Sequence, residues 1–335
     1  NSASPSAAYF AGKLYVAYAD TSGDLYIAVC SGSPAQTSNW TSYQVVTAPV
    51  GDTTKTAPSG STVNESTAYS PTLIAENGRL ALYFPTNNNT DTPQYYSTQY
   101  QNLQYLYSID PSNASNNGQW GSSYNPKDGY YSDHSAQIGS YEVTSPVAAT
   151  TFQGRTVLAY RSYAKGGGYN VGNGDIQLLT QSASQPSATN PQPTTSWTQS
   201  KTDVTFVDGV GLTTDQSLLY LTSVTGYNRE NSKIHTKIWS LSPKVSDGST
   251  TWTLDKDASW SGPTLYDGNY ANNTNQLYYT QTVNPFMRNG QLMATWTDSN
   301  KNVQIASLAA TVSAPSQVSL AGYSLPSFFL GLVAI

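Results

Sequence analysis

One cysteine in 335 residues, Cys30, excludes an internal disulfide framework and any cysteine-based zinc site. Charge is scarce too. Only 10% of the residues are charged, four are glutamates (Glu65, Glu76, Glu142 and Glu230), and 20 acidic against 15 basic residues leave a net charge of -5. A chain of that sign lacks the cationic field that non-specific nucleic-acid binding needs, so no nucleic-acid partner is expected. No apolar run is long enough to span a bilayer, so no membrane insertion is expected either. The sequence opens at Asn1 without a basic and then apolar leader. The expectation is a secreted or cell-surface protein whose signal peptide has been removed.

What the sequence does hold is Ser, Thr, Asn, Gln and Gly in quantity, with 26 tyrosines. Helix surfaces are built mainly from Glu, Lys, Ala, Leu and Arg, whereas Thr, Tyr and Val favour strands. The balance predicts an all-β protein with many turns. Abundant hydroxyl and amide groups suit an extracellular surface, and glycosylation sequons stand at Asn39, Asn64, Asn88, Asn113 and Asn272.

Internal repetition is the strongest signal. A turn followed by an apolar strand recurs at Gly12-Lys-Leu-Tyr-Val-Ala-Tyr18, Gly78-Arg-Leu-Ala-Leu-Tyr83, Gly154-Arg-Thr-Val-Leu-Ala-Tyr160, Gln216-Ser-Leu-Leu-Tyr-Leu221 and Gly290-Gln-Leu-Met-Ala-Thr-Trp296. An apolar segment precedes each, marked by Ser4-Pro5, Ser70-Pro71, Ser145-Pro146 and, in the fifth, Gly262-Pro263; the fourth, Val204 to Val210, lacks the mark. A third strand follows, beginning at Asp24, Leu103, Asp175, Ile234 and Asn302, and a segment led by Trp40, Trp120, Trp197 or Trp252 closes the first four units. Tyr18 to Ala28 parallels Trp296 to Ala306 position by position, each with a hairpin turn between alternating strands.

Four antiparallel strands repeated five times is the arithmetic of a β-propeller. A four-stranded sheet of this size buries too little alone, so its neighbours must stack on it. The expected fold is a single-domain, five-bladed β-propeller with units near 1–66, 67–140, 141–200, 201–258 and 259–335. Residues 314–335, with the apolar run Phe328 to Ile335, are expected to supply the missing edge of the fifth unit.

Phe10-Ala-Gly-Lys-Leu-Tyr-Val-Ala-Tyr18 followed by Asp24-Leu-Tyr26, and Ser145-Pro-Val-Ala-Ala-Thr-Thr-Phe152 with Arg161 beyond it, resemble the blades of sialidase-like and fungal-lectin propellers. The resemblance implies saccharide binding in clefts between blades, by aromatic rings, an Arg and amide or carboxylate partners. The inserts at 84–102, 161–174 and 222–233 are not repeated, which departs from a set of identical sugar sites.

Propellers can also hydrolyse glycosides, which requires two carboxylates across a cleft. Glu142, Glu76, Asp203, Asp208 and Asp267 lie on or beside inner strands, but Glu142 is followed by Val-Thr-Ser-Pro and not by the Gly-Pro found in five-bladed glycosidases. Neither the sialidase Phe-Arg-Ile-Pro motif nor its repeated Asp-boxes occur; in Ser246-Asp-Gly-Ser-Thr-Thr-Trp252 the Gly is one position out of place. Arg79 and Arg155 share the turn position of Lys13 and read as solvated hairpin residues. His134 and His235 are far apart in sequence, Asp133-His134 reads as a surface loop, and Asp20-Thr-Ser-Gly-Asp24 reads as a hairpin turn, so neither metal nor cofactor is expected. Gly166-Gly-Gly168 lacks the Lys-Ser/Thr of a phosphate loop.

That leaves binding. Aromatic faces stack on the apolar face of a pyranose while polar side chains orient its hydroxyls. The inserts hold that mixture in Tyr95, Tyr96, Tyr130, Tyr131, Asp133, Arg161, Tyr169, Tyr227, Arg229, Tyr266 and Asp267, the expected glycan-binding residues. The expected function is non-catalytic carbohydrate binding. One alternative is a glycoside hydrolase using Glu142 with Asp203 or Asp208. Another is a structural surface protein that self-associates through its apolar tail.

Overall fold

A computed structural model of the chain describes residues 4–47, 63–65, 67, 69–85, 101–125, 130–132, 136–143, 145–163, 174–181, 197–205, 207–216, 219–225, 233–239, 241–246, 249–254, 265–266, 284–297 and 303–307. Backbone proximity divides the chain into two compact units, Asn1–Glu142 with Ser184–Thr195 and Val143–Ala183 with Ser196–Ile335. The apolar tail beyond Ser307 lies outside the described residues, as do Asn88, Asn272 and His134.

In the first unit, β1 (Ser6–Phe10), β2 (Lys13–Ala19), β3 (Leu25–Cys30) and β4 (Trp40–Gln44) form a four-stranded antiparallel sheet in chain order. β5 (Val46–Thr47) pairs with β6 (Val63–Asn64). A second meander runs through β7 (Thr72–Glu76), β8 (Arg79–Pro85) and β9 (Gln101–Ser108); the strand paired with β9 on its other side is Ala136–Val143, and not the expected segment led by Trp120, which makes only an isolated bridge from Gly121 to Tyr107. A 3₁₀ turn leads into each tryptophan, Thr37–Asn39 before Trp40 and Ala114–Gln119 before Trp120. β10 (Ser123–Asn125) and β11 (Tyr130–Ser132) form a hairpin, and β12 (Ala136–Val143) follows.

The sheets stack because each has an apolar face. Tyr15, Ala17, Leu25, Ile27 and Val29 of the first meet Leu73, Leu80, Leu82, Phe84 and Leu106 of the second. Burying a side chain of this kind contributes about 1.5–3 kcal/mol. Tyr43 and Trp120 join the same cluster. The Tyr43 hydroxyl donates to the Pro111 carbonyl (2.6 Å) and accepts from Trp120 Nε1 (3.0 Å), which satisfies both polar tips. The first strands are also tied together: Ser4 N donates to Ser70 Oγ (2.6 Å) and Leu73 N to Ser6 Oγ (3.0 Å).

The second unit repeats the plan. β13 (Ala148–Phe152), β14 (Arg155–Tyr163), β15 (Gly174–Gln181) and β16 (Trp197–Thr205) pair in succession. They are followed by β17 (Val207–Thr214), β18 (Leu219–Thr225) and β19 (Lys233–Trp239). β20 (Leu241–Ser246) and β21 (Ser249–Leu254) form their own hairpin, and β22 (Leu265–Tyr266) completes the β17–β19 sheet. β23 (Asn284–Arg288), β24 (Gln291–Thr297) and β25 (Val303–Ser307) form the fifth meander. Phe152, Val157, Ala159, Ile176 and Leu178 pack on Val210, Leu212, Leu219 and Leu221. The side chain of Gln216 spans the same two sheets, accepting from Gln153 N (3.0 Å) and donating to the Thr151 carbonyl (2.9 Å).

Four hairpins share one turn. Ala11-Gly12, Asn77-Gly78, Gln153-Gly154 and Asn289-Gly290 all have positive φ at both residues, 41–50° and then 75–79°. That is the type I′ geometry, whose twist matches that of the strands it joins. Each recurring Gly is therefore the second turn residue. The prolines fit as well: Pro5 and Pro71 stand immediately before β1 and β7, outside the ladder where no N–H is needed.

Three assignments need correction. The first strand of the fifth meander carries Asn284-Pro285 and lies right before the Asn289-Gly290 turn, so Gly262-Pro263 does not mark it. Val204 belongs to the outer strand β16, and the fourth meander begins at Val207. Trp252 sits in β21 paired with β20, so the strand next to β19 is β22 and is not led by tryptophan.

Candidate functional site

In an antiparallel meander, the start of the first strand, the connector from second to third strand and the exit of the fourth share one end of the sheet. Five of the expected binding residues stand in sequence between the second and third strands of a meander. Tyr95 and Tyr96 lie between β8 and β9, Tyr169 between β14 and β15, and Tyr227 and Arg229 between β18 and β19; Asp133 lies between β11 and β12 and Asp267 between β22 and β23. These seven residues are outside the described ones. Tyr130 and Tyr131 are in β11, opposite Asn125 and Tyr124, and Tyr266 is opposite Lys233 at the start of β19.

Arg161 is part-buried. It lies near the end of β14 opposite Ile176, on the face that carries Val157 and Ala159. That face meets Val210 and Leu212 of the neighbouring sheet, so the guanidinium-bearing residue stands at the end of an apolar seam between two sheets. Its backbone N–H donates to the Oγ of buried Ser145 (2.9 Å), which fixes the strand at that point.

Two of the candidate carboxylate residues flank this seam in the chain, each at an irregularity of the ladder. Asp203 lies between the Gln177–Lys201 and Asp175–Thr205 pairs, where β16 has extra residues. Asp208 is the extra residue between the Val207–Thr225 and Gly209–Val224 pairs. Bulges re-aim side chains and gather next to active sites. Glu142 lies in β12, next to Val143, which pairs with Ser162.

The reading of Arg79 and Arg155 as solvated residues is overturned. Arg79 is 2% exposed and Arg155 7%. Arg79 Nε and Nη2 both reach Glu76 Oε1, at 3.1 and 2.8 Å. The guanidinium carbon lies 3.8 Å from the centroid of the Tyr107 ring, and Tyr83 donates to Glu76 Oε2 (3.3 Å). Every residue of β8 is buried, so its sheet is covered on both faces and the turn-flanking Arg79 is carried inside. Burial, followed by the Glu76 charge, pushes the Tyr83 and Tyr107 phenols well up, so both stay protonated donors. Glu76, one of the carboxylates considered for catalysis, is thus held in a buried ion pair. Arg155 Nη1 donates to the Gln181 carbonyl (3.3 Å), and burial lowers its pKa.

Sequence reasoning took Asp20-Thr-Ser-Gly-Asp24 as a hairpin turn, and the geometry agrees. Asp20 Oδ1 accepts from the N–H groups of Ser22 (2.8 Å) and Asp24 (2.9 Å). It passed over the pair that flanks the turn. Tyr18 and Tyr26 are directly opposite in the ladder and their rings stack, with centroids 5.4 Å apart and planes 14° apart. Gln44 of β4 is opposite Tyr26 and donates Nε2 to Asp24 Oδ2 (3.2 Å), so the three side chains form one row across the sheet. The signal was present: two tyrosines equidistant from a symmetric turn must face each other.

No protein-family model matches the chain, and no curated protein matches it. Solved structures with similar backbones include an α-L-arabinofuranosidase from Lactobacillus brevis at 10% identity, covering 94% of this chain and 86% of that one with a TM-score of 0.48. A fucose-specific lectin from Aleuria aurantia matches at 12% identity, over 94% of this chain and 77% of the lectin, with a TM-score of 0.49. An endo-arabinase from Bacteroides thetaiotaomicron matches at 10% identity, over 95% and 92%, with a TM-score of 0.43.

Proposed function

We propose that this chain is a five-bladed β-propeller acting outside the cell, which binds carbohydrate without transforming it. Support for the propeller comes from five successive antiparallel meanders, four of which carry the same type I′ turn, with apolar faces packing the first on the second and the third on the fourth. The observation that carries the binding reading is Arg161, a cation at the end of an apolar seam between two sheets, in a chain whose segments between paired strands are rich in Tyr, Asn and Asp. An apolar wall with a few fixed polar groups is the usual make-up of a small-ligand site, and a guanidinium donates well to sugar oxygens.

A second reading is a glycoside hydrolase. The bulges that carry Asp203 and Asp208 favour it, with Glu142 as the third carboxylate to test. A glycan array paired with a hydrolysis assay on the same glycans separates the two. Binding without turnover, weakened at least about tenfold by Arg161→Ala (about 1.4 kcal/mol), supports the binding protein. Turnover abolished by Asp203→Asn or Asp208→Asn supports the enzyme. Neither binding nor turnover overturns both.

A further inference from the structure

The row Tyr18–Tyr26–Gln44 lies at the connector end of the first sheet, where β2 turns into β3. Three features set it apart from core packing. Both rings are only half-buried, unlike Tyr15 and Tyr43 on the opposite face, which are 1% and 8% exposed. The rings lie nearly parallel, so they stack face to face and not edge to face. The polar groups around it are held in place yet incompletely used. Gln44 spends one amide N–H on Asp24, which leaves a second N–H and the carbonyl oxygen, and the Tyr26 hydroxyl has no hydrogen-bond partner among the described residues.

We propose that this row is a saccharide subsite, in which Tyr26, backed by Tyr18, stacks on the apolar face of a pyranose while Gln44 and Asp24 take its hydroxyls. The inference rests on the carbohydrate reading above and adds a second place of binding. Sugar hydroxyls both donate and accept. The row offers both in return: Gln44 N–H and Tyr26 O–H as donors, the Gln44 carbonyl and the Asp24 carboxylate as acceptors. Loss of solvent, with the Asp20 and Asp24 carboxylates nearby, pushes the Tyr26 phenol above its ordinary range, so it remains a donor at neutral pH. Because Asp20 is tied to two backbone N–H groups and Asp24 to Gln44, little ordering is left to be done on binding.

The test is saturation-transfer NMR and calorimetry on the full chain with methyl glycosides of galactose, glucose, mannose, fucose and xylose, and with tetramethylammonium as a cationic probe. The expected result is that at least one glycoside binds, that Tyr26→Ala or Gln44→Ala weakens one binding event tenfold or more, and that Tyr26→Phe, which keeps the ring, weakens it less than about threefold. Arg161→Ala leaves this event in place. Glycoside binding unchanged in both Tyr26→Ala and Gln44→Ala overturns the subsite and leaves the general reading standing. Binding of none of the glycosides overturns the general reading and the subsite with it. Tetramethylammonium bound at Tyr26 in place of a glycoside overturns the saccharide assignment and points to a cation held by the ring and the two aspartates.

Discussion

Glu76 and Arg79 illustrate how far one residue's role depends on what covers it. They flank a two-residue turn, where an exposed opposite-charge pair would contribute 1 kcal/mol or less. Buried beneath Tyr83 and Tyr107, the pair becomes a liability if split, because the remaining charge has no solvent. Arg79→Met is expected to destabilise by about 3–5 kcal/mol, read from the urea midpoint, whereas the double variant Glu76→Leu with Arg79→Met is expected to recover most of that loss. A double variant no more stable than the single one would mean that the cation–ring packing carries the site, and not charge compensation. The aromatic row at Tyr26 is the converse case: its tyrosines are left half-exposed beside fixed polar groups instead of being buried against an ion pair.

Among the elements, the type I′ hairpins are the most regular. Gly154 has φ +75° and open space where a Cβ would stand, so Gly154→Ala is expected to cost only the left-handed backbone penalty, about 1–2 kcal/mol. Gly118 has a similar φ of +70°, but a Cβ there would strike the Tyr43 hydroxyl and Trp120 Nε1. Gly118→Ala is therefore expected to lower the melting temperature clearly more than Gly154→Ala, and equal shifts would count against a packed Tyr43–Trp120 pair. Ala11 occupies the first position of its turn at φ 47°, a conformation Asn tolerates better. Ala11→Asn is expected to stabilise by about 0.5 kcal/mol, measured by chemical denaturation. The bulges at Asp203 and Asp208 belong to this scale too, since each is a break in pairing that no residue type announces.

Over the whole molecule, the buried tyrosines set an alkaline limit. Tyr43, Tyr83 and Tyr107 have phenols pushed above their ordinary value chiefly by burial, and Tyr220, which donates to Asp215 at 2.6 Å, is pushed up to about 12. A phenol that holds its proton longer in the folded chain contributes stability that is whole below the unfolded pKa, near 10, and is lost as pH rises above it. Stability is expected to be flat in this respect from pH 7 to 9 and to fall above about pH 10, by up to about 1.4 kcal/mol per pH unit for each tyrosine still protonated. Urea midpoints across pH 8–11 check this. Phenolate absorbance from these residues should appear together with unfolding and not before it. At the same scale, Leu221→Ala in the seam beneath Arg161 is expected to cost about 2–5 kcal/mol, checked by the same denaturation curves.

The succession of strands was legible in the amino-acid order because it is local: a Gly at the second turn position, a Pro just ahead of the ladder, and alternation on either side of Asp20–Asp24. Other features were decided only by tertiary structure. Periodicity tells which residues share a face, but not what lies over that face, and so Arg79 read as solvated although it is sealed in. Nor does it bring Gln44 beside Tyr26, because that neighbour arrives two strands later through pairing. Burial and cross-strand company depend on residues distant in the chain, and free energies of desolvation and stacking follow from them.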